Sequence, residues 1–186
     1  MTYDIQEYLL DRANIHDTIT KLCHAYDTNS PTLLTTDVYT PRIRLDYAAF
    51  FGADAPSAAD AADWARSAIG ALEGMTATQH LLAGIVAGLP QPSSTSTSTS
   101  ATVVRPETCR ARANVMAALV REGARGGALM QNGGYYEFEL VRVRELEEQG
   151  KNPWRISFHK AVPTWENGNW AVLSPPDLPS IYPRKG

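Results

Sequence analysis

Only two cysteines, Cys23 and Cys109, occur in 186 residues. They lie far apart, with no CxxC or Cys/His ligand spacing, so neither a disulfide framework nor a zinc site has support, and both read as buried thiols. No Lys/Arg run is present that could follow a phosphate backbone or an anionic lipid surface. The 17 basic and 20 acidic side chains nearly cancel, which argues against nucleic-acid and membrane partners. No apolar run is long enough to span a bilayer, and MTYDIQEYLLDR lacks the basic start and apolar core of a signal peptide, so a cytoplasmic protein is expected. A Gly-rich phosphate loop, a Gly-x-Ser-x-Gly elbow and an HExxH helix are all missing. Nucleotide, acyl-serine and zinc-hydrolase chemistry therefore have no motif behind them.

What is present fits one domain over residues 1–186, because a chain of this size, 44% hydrophobic and 20% charged, can bury a core without staples. Between Ile5 and Asp27 the residues Ile15, Ile19, Leu22 and Tyr26 recur at helical spacing and predict an amphipathic helix. In RIRLDYAAF, Ile43, Leu45 and Tyr47 alternate with charged residues, the period of a half-buried strand. SAADAADWARSAIGAL predicts a second helix, opened by Ser57-x-x-Asp60 in the capping-box arrangement and carrying Trp64, Ala68 and Leu72 along one side. Strand patterning then covers about residues 76–87, 101–120, 128–144 and 154–162. The Ser/Thr tract within 90–101 reads as a solvated loop, EEQGKN as a hairpin turn, and the Pro-rich stretch 163–186 as an arm pinned by aromatic anchors. Helices first and antiparallel strands afterwards is the α+β order: a curved sheet with its helices on one face, the two enclosing a cone-shaped cavity.

Of the four histidines, His80 stands out because its strand, ATQHLLAGIVAGL, is otherwise uncharged. It is either a satisfied core histidine or a pocket group. Asp27, at the end of the first helix, has two readings as well. It can open the turn-rich string Asp27-Thr28-Asn29-Ser30-Pro31, or it can hold one ring nitrogen of His80, fixing the tautomer and raising the basicity of the other nitrogen. His16, His24 and His159 read as surface or structural. In GGYYEFELVRV the alternation allows two assignments for Glu137 and Glu139: they face water while Tyr136, Phe138 and Leu140 are buried, or they line the cavity while the aromatics pack on a second subunit.

Three segments together resemble a known family. YDTNSPTLLTTDVYTPRIRLDYAAF is similar to the fungal scytalone dehydratase pattern of a Tyr-Asp pair, a spacer and an Arg-x-Asp-Tyr-x-x-Phe strand, and TATQHLL is similar to that family's Thr-Gln-His strand. The resemblance spans roughly residues 8–166 and lies within the SnoaL-like group of the nuclear transport factor 2-like fold. It implies an Asp27–His80 acid/base dyad, Tyr26 and Tyr47 reaching a substrate carbonyl directly or through an ordered water, and Phe50 walling the pocket. The family's second pocket histidine falls on Ala113 or Asn114, and its Ser-x-Asn pair on Glu137 and Glu139. Asn114, Glu137 and Glu139 are thus the expected further substrate contacts, with raised carboxyl pKa values for pocket glutamates. The activity implied is a cofactor-free, metal-free dehydratase, isomerase or cyclase of fungal-type secondary metabolism, acting α to a carbonyl of a polyketide-like or related cyclic compound. A non-catalytic small-molecule-binding or assembly module of the same fold is the alternative. The resemblance also implies a homo-oligomer, dimer or trimer, joined through the outer sheet face.

Overall fold

A computed structural model describes residues 3–51, 57–92 and 103–173. Helix α1 (Ile5–Asp27) opens with a capping box in which the Asp4 carboxylate accepts the Glu7 N–H at 2.8 Å and the Glu7 side chain accepts the Asp4 N–H. Its stripe of Ile15, Ile19, Leu22 and Tyr26 is buried, as the periodicity predicts. Asp11 pins the helix from inside: fully buried, it accepts from Arg142 at 2.6 Å, Arg105 at 2.9 Å and the Trp154 ring N–H at 3.1 Å. Burial alone pushes that carboxyl up, but the three donors outweigh it and hold it below the usual carboxylate range.

A short helix α2 (Pro31–Leu33) and a π-helical turn (Leu34–Val38) lead into β1 (Tyr39–Asp46), followed by α3 (Ala48–Phe51), β2 (Ser57–Asp60) and α4 (Ala61–Leu72). Three long strands come next, β3 (Ala77–Ala87), β4 (Thr108–Val120) and β5 (Leu129–Arg142). Helix α5 (Arg144–Glu148), β6 (Trp154–Gly168) and a 3₁₀ turn (Trp170–Leu173) complete the described chain. The six strands form one sheet in the order β2-β1-β6-β5-β4-β3, and α1 packs chiefly across β3. Alternate residues of β4 from Cys109 to Leu119, and of β5 from Met130 to Leu140, face the helices and build the core. No described helix is long and apolar enough to cross a membrane.

The α+β expectation holds, with four local corrections. The sheet is mixed, because β1 runs parallel to β6; the first and last long strands are joined by no turn, so nothing forces them antiparallel. Strand β1 stops at Asp46, whose carboxylate accepts the Ala48 N–H at 3.2 Å and turns the chain into α3, so Tyr47 lies beyond the strand. Ser57 pairs in β2 rather than capping, and Asp60 is the N-cap of α4, accepting from the Ala62 and Asp63 N–H groups. Finally, β6 continues to Gly168, six residues past the expected end, beside β5. Most of the Ser/Thr tract and the end of the Pro-rich arm lie outside the described residues.

Candidate active site

The chain turns at the end of α1 without using the Asp27 side chain. Thr28 N–H bonds to the His24 carbonyl, Asn29 takes a left-handed conformation (φ 50°), and the Ser30 hydroxyl accepts the Leu33 N–H to start α2 with Pro31 in its first turn. Both Asp27 oxygens go instead to β3. One accepts the backbone N–H of His80 at 2.7 Å and the other lies 2.7 Å from His80 Nδ1. Burial raises the Asp27 carboxyl, while the His80 ring, the His80 N–H and Thr78 pull it down further, so it stays ionised below the usual carboxylate range. A carboxylate can only accept, so Nδ1 carries the proton, and in the neutral ring Nε2 carries the lone pair. That nitrogen has no hydrogen-bond partner among the described residues.

His80 opens onto a cavity of about 300 Å³ walled by Tyr26, Tyr47, Phe50, Trp64, Leu72 and Leu173. Tyr26 comes from the last turn of α1, its ring centroid 5.4 Å from that of His80. Tyr47 stacks obliquely on Trp64 of α4 at 5.1 Å and on Phe50 at 6.2 Å. Burial raises the Tyr26 and Tyr47 hydroxyls, so both remain protonated donors at ordinary pH. The far wall is tied together by Arg121, which donates to the carbonyls of Val172 at 2.7 Å and Glu73 at 2.9 Å, joining the 3₁₀ turn to the end of α4.

Three expected contacts lie elsewhere. Asn114 is exposed on the outer face of β4. Glu137 and Glu139 also face outward from β5: Lys160 stands 3.8 Å from Glu137, and Arg44 and Arg110 stand 2.7 Å and 3.4 Å from Glu139. Of the two assignments that the alternation allowed, Tyr136, Phe138 and Leu140 are the buried set, so the pocket holds neither glutamate. The register explains the error. His80 pairs with Ala117, and Ala117 with Asn132, so these three form one inward row across β3, β4 and β5. Beside His80 on this row sits Ala117, and Asn132 follows it on β5. Asn132 was legible by parity, four residues before the inward Tyr136, but the Gly133-Gly134 step that follows it read as a bend.

His159, the other inward imidazole, is fully buried among Tyr39, Tyr47, Tyr136 and Phe138. Burial lowers its pKa to about 3, so it is a neutral core group. His24 is exposed and His16 half-buried, with its Nε2 unpartnered.

The SnoaL-like domain family matches residues 7–160. The chain belongs to that family. Among solved structures, this SnoaL-like chain is similar to the Kfla4162 protein of Kribbella flavida (20% identity, TM-score 0.68, covering 88% of this chain and 95% of that one). It is also similar to a candidate scytalone dehydratase from Novosphingobium aromaticivorans (14%, 0.62, 87% and 89%). A third is the hexachlorocyclohexane dehydrochlorinase LinA-type3 from Novosphingobium barchaimii (12%, 0.60, 90% and 95%). At these identities the shared property is the nuclear transport factor 2-like fold. No curated protein matches the chain.

Proposed function

We propose that this SnoaL-like protein is an acid/base lyase or isomerase that removes a proton α to a carbonyl of a neutral cyclic compound and needs no cofactor for that step. The observation that carries the reading is the double grip of Asp27 on the His80 backbone and ring, which leaves Nε2 as the basic atom at a largely apolar cavity. His80 Nε2 takes the α-proton, and the C–H electron pair moves to the carbonyl oxygen. The enolate oxygen is held by the hydroxyls of Tyr26 and Tyr47. The imidazolium then returns its proton to a departing β-hydroxyl, re-forming the carbonyl with a new C=C bond and one water lost; return to another carbon gives an isomer, and attack of the enolate carbon on a second carbonyl, whose oxygen takes the proton, gives a cyclised product. Among the described residues the cavity lining includes no Lys, Arg, Asp or Glu, which favours an uncharged substrate. The similar structures named for dehydration and dehydrochlorination both concern eliminations, the reaction type that such a dyad suits.

The test is a panel of one- and two-ring β-hydroxyketones, with conjugated enone followed by absorbance. Turnover by the parent and its loss in His80→Ala and Asp27→Asn are expected; parent-like rates in both variants would refute the proposal. Among the described residues the pocket lining holds one imidazole, with Ala117 beside it, which favours a second reading as a binding module. A ligand recovered unchanged after long incubation, and held equally by the dyad variants, selects that reading. We further propose a second copy of this chain as partner for the outer face, where Leu81, Met116 and Trp165 make an exposed apolar row across β3, β4 and β6. Sedimentation showing a monomer at all concentrations would contradict it.

A further inference from the structure

The floor of the cavity hardly meets solvent: Ala117 and Leu119 are each 4% exposed and the His80 side chain 10%. A ring-sized ligand therefore reaches Nε2 only if a wall moves. The sheet side is fixed by strand pairing, and the α1 side by its buried stripe and the Asp11–Arg142 ion pair. Helix α4 stands between two spaces. Toward the cavity it turns Ser67, Ala68 and Ala71, while Arg66, Gly70 and Glu73 line a second cleft of about 370 Å³, bounded by Asn29 and Pro31 where α1 passes into α2.

Between Ser67 and Leu72 only Leu72 is buried, and a Cβ added at Gly70 would meet nothing within 4 Å beyond its own helix. A helical segment with so few buried apolar groups belongs to the least stable parts of a fold. Its two ends are held differently. The start has the Asp60 cap and the β2 pairing behind it. The finish is held by Arg121, a guanidinium 7% exposed, which donates to the carbonyls of Glu73 at 2.9 Å and Ala71 at 3.4 Å and, from Nε, to that of Val172 at 2.7 Å. All of its hydrogen bonds among the described residues go to carbonyls, and a cation suits the negative end of a helix. One side chain thus ties the end of α4 to the 3₁₀ turn that carries Leu173, itself a cavity residue.

We propose that the C-terminal half of α4 is the gate of the cavity, moving back into the cleft behind it to admit a ring-sized ligand, and that Arg121 is the latch that holds the gate shut. Opening breaks the hydrogen bonds from Arg121 to Glu73 and Ala71, which re-form when the helix returns. The cleft supplies the room, and Gly70 leaves it unfilled. This goes beyond the proposed function: it concerns access to the cavity and holds whether the occupant is turned over or only bound.

The test places a thiol on the cavity floor with Ala117→Cys in the full chain and follows its labelling by 4,4′-dithiodipyridine, a neutral two-ring reagent, with the modified sites read by mass spectrometry. Cys23 and Cys109, both buried, report global opening in the same sample. Gly70→Ala stiffens the helix without filling the cleft, and leucine has nearly the same helix propensity as alanine. Gly70→Leu is therefore expected to slow labelling at position 117 by about a further 10-fold, the scale of overpacking a filled space. Arg121→Lys, which keeps the charge and loses the fork, is expected to speed it about 10-fold while Cys23 and Cys109 stay slow. Equal rates in Gly70→Ala and Gly70→Leu overturn the proposal. So does an Arg121→Lys acceleration shared by Cys23 and Cys109, or a thiol at position 117 that reacts at the rate of free cysteine with Gly70 and Arg121 intact. Should Arg121→Lys not fold, the comparison at Gly70 decides alone. Turnover plays no part in the measurement, so this proposal and the acid/base reading fail separately.

Discussion

His80 and His159 stand on the same face of the same sheet, each with tyrosine rings against it, and their surroundings differ in two respects. His80 has a carboxylate at 2.7 Å and a cavity on its other side. His159 has phenols and aromatic rings against it and is fully buried. A carboxylate gives an imidazole a fixed tautomer and a counter-charge for its protonated form, whereas burial without one forbids that form. The residue type is therefore uninformative by itself. What separates the two histidines here is one acid at the end of α1 and the small side chain of Ala117 beside His80.

Substitutions that interchange these properties put the contrast under strain. The largest effect is expected at the dyad: His80→Ala or Asp27→Asn lowers turnover by about 10²–10⁴-fold, the range of general acid–base catalysis, with little change in the urea midpoint. His159→Ala does the reverse, destabilising by roughly 2–4 kcal/mol through the cavity it leaves and the stranded Tyr39 hydroxyl. Parallel urea titrations and rate measurements on the three variants check both halves.

pH separates the two histidines next. Folded His159 is neutral with a pKa of about 3, whereas in the unfolded chain it titrates near 6.5. Below that pH the unfolded chain binds a proton that the folded chain refuses, so His159 contributes stability above about 6.5 that fades as pH falls toward 3. The slope approaches 1.4 kcal/mol per pH unit at its steepest. The depressed carboxyls of Asp11 and Asp27 act in a lower window, because their contribution is lost only as pH falls below about 4. Urea midpoints between pH 7 and 4.5 should fall in the parent and flatten in His159→Phe.

Packing gives a smaller contrast. Leucine at Ala161, which is 1% exposed and pairs with Tyr136, overpacks the filled half and costs about 1–3 kcal/mol. Leucine at Ala117 enters the cavity, leaving thermal stability near the parent's while blocking ligand binding. Smallest is Asp60→Ala, which removes the cap of α4 and costs about 1 kcal/mol by urea titration, on the pocket wall that carries Trp64.

The elements were legible where periodicity and burial coincide: the α1 stripe of Ile15, Ile19, Leu22 and Tyr26, and the alternation through β4 and β5. The Tyr26-Asp27 pair and the Thr-Gln-His strand identified the family, and the side chains of Asp27 and His80 do meet. Sequence could not settle which face a strand turns inward when both faces carry plausible residues. That is why Glu137 and Glu139 were weighed as pocket groups and Asn132, next to a Gly-Gly step, was passed over. Nor does a local pattern reveal long-range partners: His159 read as surface or structural because Tyr39, which holds it, is 120 positions away, and the parallel β1–β6 pairing joins segments equally remote.

The most direct test of the acid/base dyad is deuterium uptake from D₂O at the α-carbon of 1-tetralone, a neutral bicyclic ketone, followed by proton NMR. It requires no leaving group and so isolates the proton-abstraction step. The parent protein should accelerate exchange well above buffer, with the acceleration lost in both His80→Ala and Asp27→Asn. Exchange at the buffer rate with the parent, or acceleration that survives both substitutions, would contradict the account.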